Sequence, residues 1–225
     1  MKVILLGATG MVGQGVLREC LRDDAVEGVL VLGRTPTGVR HPKLREIVQP
    51  DLTDLGGVEA ELSGYDACFF CLGVSSAGMK EEAYRRVTHD LTLSVARTVS
   101  ALNPGLTFVY VSGQGTDSSE RGRLMWARVK GRTENDLLAL PMDAYMFRPG
   151  FIQPMHGVTS RTRLYRAAYR VTTPLFPVLW RLFPNQLTTT ERLGRAMIAV
   201  ARSGAPGRIL GTRDINALVP LAPPS

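Results

Sequence analysis

The opening stretch MKVILLGATGMVGQGVLREC restricts the possible folds more than any other part of the chain. An aliphatic run, KVILL, meets Gly7, and the spacing Gly7, Gly10, Gly13 leads straight into an amphipathic segment near residues 11 to 22. A strand that turns into a helix within a few residues needs a position without a side chain at the turn. A second such position lets a ligand approach the backbone, and a third lets the helix lie close to the strand. Free N–H groups and the positive dipole end at the helix start then attract phosphate. Gly7, Thr9, Gly10, Met11, Val12 and Gly13 are therefore expected to cradle the pyrophosphate of a dinucleotide. Glycines that serve only a tight turn are the simpler alternative, and the strand–loop–helix context argues against it.

The rest of the chain keeps the rhythm that this unit starts. GVLVLG, LREIVQ, DACFFC, LTFVYV and AYMFR read as short buried strands separated by amphipathic stretches. Parallel neighbours need crossover connections, so the alternation predicts an α/β fold, a doubly wound parallel sheet with helices on both faces. At 225 residues one domain is expected, with residues 151 to 225 forming a small C-terminal lobe that completes the fold and covers a site. A last helix is predicted over 188 to 202, opened by Thr188 and Glu191 at capping-box spacing, with Leu193, Met197 and Val200 buried.

The formal charge of +7 comes mostly from arginine and points weakly to anionic ligands or surfaces. Three cysteines, at 20, 68 and 71, make no framework and fit a reducing compartment, so a cytoplasmic location is expected. CFFC is not read as a redox pair, because residues i and i+3 of a strand face opposite sides. The apolar N-terminal run is too short for a signal peptide, and no run is long enough to cross a bilayer. Histidines 41, 89 and 156 are too scattered for a metal site. Ser112 lacks the preceding glycine of a nucleophile elbow, which disfavours acyl transfer.

The end of the second strand should read the adenosine ribose. A carboxylate there would bind a free 2′-hydroxyl, whereas VLGRTP offers Arg34, which suits a 2′-phosphate and so NADP over NAD. A solvated loop arginine is the alternative. Asp51 and Leu52, in VQPDLTDL, come next along the adenine side, where Asp51 could accept from the adenine amino group or merely cap the next helix.

With these motifs in hand, the chain resembles an atypical short-chain dehydrogenase/reductase, close to the NmrA-like and NAD-dependent epimerase/dehydratase branches. The resemblance covers nearly all of residues 1 to 150. It rests on GATGMVG, Arg34, PDLTD, CLGVSS, VYVSG, WARVKG and FRPGFI. It implies that Cys71, Leu72, Gly73 and Val74 pass beneath the cofactor's ribose, that Ser112 faces the substrate and that Lys130 holds the nicotinamide ribose hydroxyls. Pro149, Gly150, Phe151 and Ile152 would border the carboxamide. Four residues before the lysine the family carries a tyrosine that acts as acid or base, and this chain carries Trp126. An indole N–H only donates and cannot shuttle a proton near neutrality.

The resulting expectation is an NADP(H)-dependent oxidoreductase with Ser112, Trp126 and Lys130 at its centre. It would move hydride to or from a small planar carbonyl or quinone, with Lys130 as a substitute proton donor and Tyr84 as a reserve acid. The rival expectation is a non-catalytic NADP(H)-sensing regulator or scaffold. Residues 157 to 187 carry many arginines and no acidic residue, and suit a substrate lid, a homodimer face or contact with an anionic membrane. No groove-reading motif accompanies the arginines, so no nucleic acid partner is expected.

Overall fold

The computed structural model describes residues 1–158, 180–183 and 185–219. In chain order the described elements begin with β1 (Lys2–Leu6), α1 (Met11–Arg22), β2 (Gly28–Gly33), β3 (Leu44–Val48) and β4 (Ala67–Phe70). A helical run follows in three parts, α2 (Glu81–Arg85), a π-helical turn (Arg86–Asp90) and α3 (Leu91–Leu102). Then come β5 (Thr107–Val111), α4 (Met125–Leu138), β6 (Asp143–Arg148), β7 (Phe151–Gln153), β8 (Leu187–Thr189), α5 (Thr190–Ser203), β9 (Ile209–Gly211) and α6 (Thr212–Leu218).

Seven strands form one sheet in the order β3-β2-β1-β4-β5-β6-β9, and every pairing in it is parallel. β1 shows why the inner strands read as unbroken apolar runs. Val3 and Leu5 enter one core, which packs on α1 and α5 through Val16, Leu193 and Met197. Ile4 and Leu6 enter the other, which packs on α3 through Val95 and Val99. Both faces are covered, so neither alternate set of side chains can be polar. The same alternation divides CFFC, with Cys68 in the second core and Cys71 packed against the first.

The strand order reverses between β1 and β4. Crossovers leave in opposite directions there, and a crevice opens beyond the carboxyl ends of the two strands. After Arg148 the chain adds α5 to one face and β9 to the edge beside β6. The α1–α5 contact is close because both helices present glycine: a Cβ on Gly15 would stand 2.5 Å from the Thr190 Cβ, and one on Gly194 would stand 2.9 Å from the Glu19 Cγ.

The last long helix starts later than the capping-box spacing suggests. Leu187–Thr189 pair with Phe151–Gln153 as a second, two-stranded parallel sheet, which holds Thr188 extended. Thr189 is the N-cap, accepting from the Arg192 N–H at 3.0 Å, while Thr188 donates to Asn216 Oδ1. Leu193, Met197 and Val200 are buried as expected. The amphipathic register proposed within 157 to 187 lies mostly outside the described residues.

Candidate cofactor cleft and active site

The glycine loop closes directly on β4. Gly7 has φ +81°, and a Cβ on it would stand 2.5 Å from the Cys71 carbonyl carbon and the Leu72 nitrogen. Gly13 is packed as tightly, since its Cβ would stand 2.1 Å from the Gly7 oxygen. Gly10 is the N-cap of α1 and brings no side chain to the helix start, while its N–H binds the Gly7 carbonyl at 2.9 Å. No acidic residue occupies the first turn, so the positive helix end that begins at Met11 and Val12 meets no negative side chain of its own helix. The cleft above the loop measures about 400 Å3 and is lined by Gly7, Thr9 and Gly10 with Arg34 and Thr35 from the end of β2. Cys71, Leu72, Gly73 and Val74 form its opposite wall.

These residues fit a dinucleotide: Gly7 and Gly13 let strand, loop and helix pack closely, Gly10 leaves the start of α1 without a side chain or side-chain cap, and the Arg34 guanidinium lines the same cleft. Asp51 is already engaged, because its Oδ1 accepts from both the N–H and the hydroxyl of Thr53, which lowers its pKa. Leu52 is a core residue, 2% exposed, so its side chain does not reach the cleft. These bonds close a local turn on Thr53; the next helical segment, Glu59–Leu62, has Val58 as its N-cap and no side-chain cap, so Asp51 does not cap it.

Beyond the carboxyl end of β5, α4 is clamped to the loop that follows that strand. A Cβ on Gly131 would lie 1.7 Å from the Asp117 carbonyl oxygen, so only glycine allows this approach. The adjoining Lys130 is thereby driven against β5, where its ammonium donates to the Ser112 carbonyl. Burial pushes the lysine pKa down to about 8, against a smaller upward pull from the Glu134 carboxylate. One turn beyond Lys130, Glu134 is wholly buried and accepts from Arg148 Nε with both oxygens, at 3.0 and 3.1 Å. Arg148 also donates to the Ser118 hydroxyl at 2.5 Å. This ion pair ties α4 to the end of β6, where Pro149 and Gly150 lead into Phe151 and Ile152 of β7. Trp126 lies half-buried with its ring edge 3.1 Å from where a Cβ of Gly115 would stand.

Residues 3–119, just over half of the chain, match the model of the NAD dependent epimerase/dehydratase family. The chain belongs to that family. "Protein fmp52, mitochondrial" of Aspergillus fumigatus is 31% identical over 176 residues, which cover 75% of this chain and 72% of that protein. "Protein fmp52-2, mitochondrial" of Aspergillus oryzae is 29% identical over 152 residues, so that the match spans 66% of each protein. Among solved structures, the Bordetella bronchiseptica enzyme WbmF in complex with NAD+ superposes with a TM-score of 0.63 at 18% identity, covering 96% of this chain and 76% of that one. Among the described residues no helix is long and apolar enough to cross a membrane.

Within this epimerase/dehydratase framework several expectations need correction. The Ser112 side chain does not face the crevice: it is 3% exposed and its hydroxyl donates to the Phe147 carbonyl at 3.2 Å, because β5 and β6 are still paired at that level. Its carbonyl is the group that receives the Lys130 ammonium. Tyr84 is unsuited to a reserve acid, being 2% exposed with its phenol pKa raised by burial. His89 lies between Asp90 and Asp136, at 2.7 and 2.6 Å, and joins the π turn to α4. The Glu134–Arg148 pair escaped the sequence reading. Glutamate four residues after a lysine on a helix ordinarily reads as a solvated pair, and nothing local placed Arg148 opposite it.

Proposed function

We propose that this family member binds NADP(H) and transfers hydride to or from a small, planar, conjugated carbonyl or quinone. The observation that carries the reading is the buried ammonium of Lys130, fixed against the Ser112 carbonyl with its pKa drawn down to about 8. A proton donor works best with a pKa near the operating pH, and Lys130 meets that condition where Trp126 cannot. Arg34 at the adenosine end supports NADP over NAD, since its planar fork suits a phosphate monoester. Bound in the cleft, the nicotinamide cofactor would supply the hydride. Lys130 would hold the accompanying proton at Nζ, and Trp126 would offer a flat wall to a planar acceptor. The free cysteines suit a reducing compartment, for which the cytoplasm is our reading, although the Aspergillus relatives are named mitochondrial.

Trp126 in the tyrosine position favours a second reading, a nucleotide sensor without turnover. Incubating the protein with NADPH and a panel of quinones and conjugated carbonyls separates the two. Turnover abolished by Lys130→Met supports the oxidoreductase. Nucleotide binding with no turnover, unchanged on Trp126→Tyr, supports the sensor.

A further inference from the structure

A cavity of about 650 Å3 lies on the flank of α1, sharing only Ala8 and Thr9 with the cofactor cleft among the described residues. It exists because residues 34 to 43 join β2 to β3 without a helix, although β2 and β3 are parallel neighbours. A crossover helix would ordinarily stand beside α1 and fill this space.

The lining has a consistent chemistry. Leu17 and Leu21 of α1 form an apolar floor, and Val39 of the helix-free connection closes over it while remaining 42% exposed. Arg18, Arg22 and His41 stand at its polar margin. No carboxylate lines the cavity among the described residues. Arg18 is partly neutralised by Glu19, which is shared with Arg195, but Arg22 has no ion pair among the described residues. His156 also lines the cavity and is held by Glu191 at 2.9 Å.

We propose that this cavity binds one amphipathic organic anion, an aliphatic acyl carboxylate with its chain along Leu17, Leu21 and Val39 and its head at Arg18 and Arg22. The volume falls within the range of about 300–1,000 Å3 usual for small-molecule sites. The site does not depend on the hydride-transfer reading. It does adjoin the phosphate loop, because the Gln14 side chain, which also lines the cavity, donates to the Thr9 carbonyl at 3.0 Å.

The test is calorimetric titration of the full chain with monomeric decanoate, with and without saturating NADPH. One decanoate per chain is expected in both arms. Affinity should fall about tenfold in Arg22→Glu and in Val39→Asp, both at accessible positions that leave the circular dichroism spectrum unchanged. Decanol should bind at least about tenfold more weakly than decanoate. The proposal is overturned if decanoate does not saturate, if neither substitution weakens it, or if decanol binds equally well. Displacement of decanoate by NADPH to zero would put the ligand in the cofactor cleft and overturn it too. So would binding to anionic vesicles without binding of the monomer.

Discussion

Replacement of Glu134 by glutamine probes the support beneath the candidate site. The carboxylate is wholly buried and takes hydrogen bonds from Arg148 Nε on both oxygens. An ion pair in solvent contributes about 0–1 kcal/mol, whereas removing one partner of a buried pair costs about 3–5 kcal/mol because the other charge stays behind. The amide keeps the shape of the acid, so no cavity adds to the loss. Arg148 is 20% exposed and retains the Ser118 hydroxyl, which leaves part of its charge solvated. The expected loss is therefore at the lower end, about 3 kcal/mol, out of a total stability of about 5–15 kcal/mol. Urea unfolding at pH 7 should show the midpoint falling with an unchanged slope. The double variant Glu134→Leu with Arg148→Met should cost clearly less than the sum of the two single changes. A loss under about 1 kcal/mol, or strict additivity, would refute the buried-pair argument. Glutamine also removes the charge that holds the Lys130 pKa up, so that pKa should move further below about 8.

Three other outcomes follow from the same geometry. Gly13→Ala would force a Cβ to within 2.1 Å of the Gly7 oxygen, so the loop must shift; we expect about 1–3 kcal/mol of lost stability and loss of nucleotide binding, read by unfolding and by calorimetry. Arg34→Ala should weaken NADPH by about ten- to a hundredfold, the worth of a charge-assisted contact, and leave NADH unchanged in equilibrium binding. If Lys130 is the acid, reduction should be fastest below pH 8 and fall as pH rises through about 8, because the neutral amine has no proton to give. For stability the sign is opposite: the folded lysine titrates about 8 against an ordinary 10.5, so the unfolded chain binds more protons and folding should strengthen across that window. Lys130→Met should abolish the reduction itself and remove the rise in stability across that window.

The family-level reading was available locally. Gly7, Gly10 and Gly13 sit within one strand–turn–helix, and their requirement for missing side chains arises from contacts only a few residues away in the chain, apart from the Gly7 approach to Cys71 and Leu72. The apolar runs likewise announced buried parallel strands, since a strand covered on both faces has no polar register to hide. Thr188 was misjudged because its pairing partner, Ile152, is remote in sequence. Ser112 was misjudged for the same kind of reason: which way a hydroxyl at a strand end turns depends on whether the neighbouring strand still offers a carbonyl, and here Phe147 does.

By itself the sequence determined the strand–glycine loop–helix unit of the family, the layering of helices on a parallel sheet and the burial of its inner strands on both faces. All of these follow from residue type and short-range spacing. Tertiary structure alone decided that Gly131 drives α4 against Asp117, that Arg148 meets Glu134, and that a helix-free connection leaves a cationic cavity beside α1. Each of those joins segments distant along the chain, and burial, close approach and the resulting proton affinity of Lys130 are properties of the assembled surroundings.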